Sequence, residues 1–97
     1  MKTNVQPIQE PLEKINKIGG YTFDWIPQEK VHSKVGGDIG VIAQEIEEVM
    51  PEVTTTRENG FKAVQYEKIV PLLIESIKEQ QKQIEELRNE VEFLKNK

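Results

Sequence analysis

The densest set of groups able to do chemistry is acidic. Glu45, Glu47, Glu48 and Glu52 fall within eight consecutive positions, a density that could serve proton transfer or hold a cation if the carboxylates converged. Neither histidine nor aspartate stands among them, so they read as the solvated face of a helix. The single histidine, His32, lies in a polar stretch and reads as a surface side chain. Ser33 and Ser76 read as ordinary hydroxyls with no general base assigned to them, Ser76 as a surface residue. Gly36, Gly37 and Gly40 lack the spacing of a phosphate-cradling loop. Cysteine is absent, which removes disulfides and thiolate metal sites. No cofactor and no metal site is expected. Residue by residue, this is an assembly module rather than a complete enzyme.

The element that must organise such a module is the last third of the chain. With Val70 at heptad position a, the a positions are Val70, Ile77, Ile84 and Val91, and the d positions are Leu73, Gln80, Leu87 and Leu94. Seven of these eight are apolar, and a strict seven-residue repeat makes a helix supercoil against partner helices. Gln80 is the polar exception, a substitution that lowers stability but suits control of register. Glu90 at g and Lys95 at the following e can meet between parallel neighbours. Branched a residues with leucine at d lean by themselves toward two strands, so heptads alone leave the number of chains open. Ile69, Leu72 and Ile74 widen the apolar face near the start, as expected of a helix that begins inside a globular head and leaves it as a stalk.

The head is read as residues 1–66 and the coiled-coil helix as 67–97, together one structural domain that is an obligate oligomer. In the head, Pro7 and Pro11 delay a short helix that carries Leu12, Ile15 and Ile18 on one face and stops at Gly19-Gly20. Tyr21, Phe23 and Trp25 alternate with Thr22 and Asp24, the pattern of a strand whose aromatic face belongs in the core or at a subunit contact. Gln28 to Gly37 reads as a loop or β-arm. Ile39 to Ile42 reads as a short buried strand, with Gly40 marking a close backbone approach. Ala43 to Met50 continues as a helix that Pro51 ends, with Ile42, Ile46 and Val49 on one face. Val53 to Thr56 and Phe61 to Val64 flank an Asn59-Gly60 turn and form a hairpin. The fold class is therefore α+β: a small head of short helices and a β-hairpin or arm, followed by a long C-terminal helix.

A head of this size rarely supplies more than about 3–5 kcal/mol from one core, so oligomerisation is the staple available. The net charge of -4 and pI near 5.1 argue against a broad nucleic-acid footprint, which needs clustered Lys and Arg. No apolar run approaches a membrane span of about 18 residues, and no membrane partner is expected.

Two stretches carry a resemblance. Gly40 to Glu52 (GVIAQEIEEVMPE) and Val64 to Glu79 (VQYEKIVPLLIESIKE), with Tyr21-Thr22-Phe23-Asp24-Trp25 and the opening Lys2-Thr3-Asn4-Val5-Gln6-Pro7-Ile8, are similar to the C-terminal intramolecular chaperone domain of phage tailspikes and tail fibres. The resemblance implies a parallel homotrimer whose folding client is the fibre or tailspike segment upstream in the same polypeptide. It implies action in the host cytoplasm during virion assembly, and release from the mature fibre by autoproteolysis.

The family's cleavage motif runs Ser-Asp-x-Arg-x-Lys, with serine as nucleophile and lysine as general base. Aligned on Lys2, that serine falls before residue 1, so Lys2 is the catalytic candidate and its partner is absent. A neutral lysine base needs burial or neighbouring positive charge, and an N-terminal lysine in an extended segment has neither, so this chain is expected to be inactive. The alternative reading is a permanent trimerisation cap that stays on the fibre and never cuts.

Overall fold

The computed structural model describes residues 1–26 and 34–97. The readings of His32 as a surface side chain and of Ser33 as an unactivated hydroxyl, and most of the expected loop after Trp25, lie outside the described residues. In chain order the elements are α1 (Pro11–Ile15), β1 (Tyr21–Trp25), β2 (Gly36–Gly40), α2 (Ala43–Val49), β3 (Thr54–Thr56), β4 (Lys62–Val64) and α3 (Val70–Lys95). Single 3-10 turns at Pro51–Val53 and Tyr66–Lys68 lead into β3 and α3. The class is α+β, with each pair of strands forming its own antiparallel ribbon.

Pro11 opens α1 because its fixed φ suits the first helical turn. The helix is shorter than its apolar spacing suggests. After Ile15 the bonds tighten to Lys17 N–H onto Lys14 O and Ile18 N–H onto Ile15 O, so Ile18 keeps its place on the inner face without belonging to an α-helix.

The core is small and comes from three places in the chain. Ile46 and Met50, one helical turn apart, emerge from α2 and its C-cap. Pro51 stops the helix, and the turn it begins carries Val53 inward. Ile69 and Leu72, at the root of α3, complete the cluster. Ile8, Ile15, Ile18, Val41, Val49 and Val64 pack around it, half-buried. The β3–β4 ribbon closes one side, with Gln65 N–H donating to Val53 O at 2.8 Å. Its turn follows a known logic: Gly60 N–H bonds Arg57 O at 2.9 Å, and Gly60 takes φ +86° before Arg57 N–H bonds Phe61 O. A type I turn followed by a left-handed residue is the three-residue hairpin, and glycine takes that left-handed position without strain.

The β1–β2 ribbon departs from the sequence reading in two ways. The strand runs over Gly36–Gly40, not Ile39–Ile42, and Ile39 faces solvent. Its cross-strand partner is Thr22, so both lie on the polar side of a ribbon that, among the described residues, pairs with no further strand. Phe23 and Trp25 are not in the core either. They are half-buried on the opposite side of the ribbon and pack edge to face, with ring centroids 5.1 Å apart. The Lys34 ammonium lies 4.7 Å from the Trp25 ring centroid, and Phe23 packs beside Gly40.

Pro71 is tolerated as the second residue of α3, where an N–H would have no intrahelical partner. At about 1.5 Å per residue this 26-residue helix is roughly 39 Å long, more than half the 67 Å length of the molecule.

Candidate functional site

Two stripes of α3 serve different ends. Ile69, Leu72 and Ser76 form the stripe turned into the head, and all three are buried. The sequence reading of Ser76 as a surface residue is thereby corrected. It recurs seven residues after Ile69, two helical turns on, and its Oγ is enclosed with no hydrogen-bond partner. Val70, Leu73 and Ile77 belong to the other stripe, displaced around the axis by roughly a quarter turn at about 100° per residue. These are the first positions of the heptad stripe, and among the described residues none buries it. Val70, Leu73, Ile77, Ile84, Leu87, Val91 and Leu94 are between 42% and 64% exposed, and Gln80 is exposed with them. A line of seven exposed aliphatic side chains is the kind of contiguous apolar surface that marks an association site.

At its root the seam runs into a groove between head and helix. Ile15, Ile18, Val41, Tyr66, Ile69, Val70 and Leu73 line a concavity of about 360 Å³. Tyr66 shapes its rim. The phenol oxygen accepts from Val41 N–H at 3.2 Å and sits 2.7 Å from where a Cβ on Gly40 would stand, which is the close approach that Gly40 signalled.

The acidic cluster divides by partner. Glu45 is a clamp rather than a solvated residue: its carboxylate accepts from Gly19 N–H at 3.1 Å and from the Tyr21 hydroxyl at 2.7 Å. The hydrogen bond to Glu45 holds the Tyr21 phenol above its ordinary pKa. This contact ties the start of the β1–β2 ribbon to α2. Glu47 pairs with Lys62 across to β4. Asp38 on β2 accepts from the Trp25 indole N–H at 2.9 Å and from Ile39 N–H at 2.8 Å. Those two donors, the indole first, hold its carboxyl below the usual carboxylate range. Among the described residues no group of three or more His, Cys, Asp or Glu side chains converges as a metal site would need.

Lys2 lies exposed in the extended N-terminal segment. The structure does not bring it together with the seam residues or with the acidic cluster.

Comparison with known proteins gives two kinds of match. The family model Peptidase_S74, described as chaperone of endosialidase, matches residues 1–55, which takes in α1, both strands of the first ribbon, and α2. Matches to curated proteins extend through α3. The long tail fiber protein Gp37 of Enterobacteria phage K3 is 26% identical over 94% of this chain and 8% of its own length. The protein of that name from Enterobacteria phage M1 is 28% identical over 91% of this chain and 37% of its length. That from Salmonella phage S16 is 30% identical over 99% and 14%. The chain thus spans a minor part of each relative.

Proposed function

Because this chain belongs to the chaperone of endosialidase family, we propose that it is the intramolecular chaperone of a phage tail fibre or tailspike, working as a parallel homotrimer. The observation that supports this most is the bare seam on α3 beside a stripe that the head has already filled. Three such helices bury their seams only against one another, and the heads then sit at one end of a three-stranded stalk.

The gain is effective concentration. Three fibre strands that must register would otherwise search for one another in solution, and tethering them at one end makes the later pairings intramolecular. The client is the fibre segment upstream in the same polypeptide, and the work is done in the host cytoplasm during virion assembly.

Release follows by self-cleavage upstream of residue 1. The serine hydroxyl attacks the carbonyl carbon of the peptide bond immediately before it, and Lys2 takes the hydroxyl proton and returns it to the departing amine. Water then hydrolyses the resulting ester. The exposed position of Lys2 in this chain suits a lysine that becomes a base only once its upstream partner is ordered against it.

The test is a chain extended upstream through the cleavage segment into the fibre. It should cut itself immediately before the serine, as read by intact mass, and Lys2→Ala should abolish cutting while leaving the oligomer intact. Efficient cutting by the Lys2→Ala protein would refute the assigned base. An extended chain that assembles and never cuts would favour a permanent trimerisation cap.

A further inference from the structure

We propose that Ile74 of a neighbouring copy closes the groove at the root of the seam, so that each head is completed by the next chain. The proposal rests on the parallel assembly argued above. In a parallel coiled coil the g residue of one helix lies beside the e residue five positions later on its neighbour. Ile69 occupies g, and five positions later stands Ile74. Ile69 is also part of the groove wall, with Ile15, Ile18, Val41 and Tyr66. The register that sets Glu90 beside the neighbour's Lys95 therefore delivers an isoleucine to the apolar groove between head and stalk.

Three features favour this occupant. Ile74 is 51% exposed and does not line its own chain's groove. Five residues at about 100° each carry it roughly 140° around α3 from Ile69, so it faces away from its own head. The other e positions of the seam are Gln81, Arg88 and Lys95, all polar where no head lies opposite. An apolar e residue occurs only in the heptad whose neighbouring g flank is built of head.

The absence of cysteine allows a direct test. Two versions of the chain differing in tag length are co-assembled, one carrying Ile18→Cys and the other Ile74→Cys, then oxidised and run without reductant. A band at the summed mass can arise only between chains. Val41→Cys in place of Ile18→Cys gives a second geometry, and Glu90→Cys with Lys95→Cys reports the parallel stalk independently of the head. Both kinds of pair should cross-link. A stalk pair that links while neither head pair does would overturn the groove proposal and leave the parallel assembly standing. Failure of all pairs would overturn both. Ile74→Glu should raise the concentration for half-dissociation roughly tenfold or more, from lost apolar burial and a desolvated charge, whereas Gln81→Glu, at the next e position, should change it little. Equal effects of the two substitutions would also defeat the proposal.

Discussion

The two stripes of α3 make the most instructive contrast in this molecule. One is filled by the chain's own head and reads Ile69, Leu72, Ser76; the other is left bare and reads Val70, Leu73, Ile77 and onward. Both are apolar or small, and they lie on the same first turns of the same helix. What separates them is persistence. The inner stripe gives way after Ser76 to Glu79 and Gln83, because the head ends there, while the seam repeats to Leu94. Burial within a chain needs only as many apolar residues as the head is deep, whereas burial between chains needs a repeat as long as the stalk.

The contrast can be broken from the head side first. Leu72→Ala empties a position that is 1% exposed and should cost about 2–5 kcal/mol of head stability, with little effect on association through the stalk. Chemical denaturation followed by Trp25 emission and by circular dichroism would read it. A loss of assembly equal to the loss of head stability would mean that the two stripes are not independent.

A smaller effect of opposite sign is expected at Ser76. Its hydroxyl is enclosed without a partner, so Ser76→Ala should stabilise the head by about 1 kcal/mol, since an unmade hydrogen bond is removed together with its desolvation. Thermal melting would show it, and a destabilised Ser76→Ala protein would mean that the hydroxyl finds a partner on assembly.

The smallest change concerns the β1–β2 ribbon. Asp38 has its pKa lowered in the folded chain, chiefly by the Trp25 indole. Its contribution is therefore present above the ordinary carboxylate value and is lost as pH falls through the lowered folded value. Trp25 emission should shift across that acid window and not between pH 5 and 8, and Asp38→Asn should flatten the transition.

Much of this was legible in the sequence, and the reasons differ by element. The exposed heptad stripe of α3 and the Asn59-Gly60 hairpin are local patterns, in which spacing alone determines which side chains share a face or which residue must take positive φ. The alternation bounds the aromatic strand correctly at Tyr21–Trp25, but of its two placements for the rings, core or subunit contact, the chain's own core is not the one they reach, because alternation reports a face and not what lies against it. Ser76 was misread for the converse reason: its heptad position says outward, while the head reaches that far along the helix. The Glu45 clamp links residues 24 and 26 positions apart, and no sequence spacing signals so distant a carboxylate–hydroxyl pair.

The central claim is that the bare stripe is an assembly seam for three chains. Sedimentation equilibrium at micromolar concentration tests it most directly, on the chain and on its Leu87→Asp variant, which places a charge in the middle of the stalk and leaves the head untouched. The account predicts three times the 11.2 kDa chain mass for the first and a shift toward single chains for the second, because a desolvated carboxylate in each of three converging side chains outweighs the remaining apolar layers. A native chain that sediments as a monomer or a dimer, or a Leu87→Asp protein that holds its trimer unchanged, would contradict it.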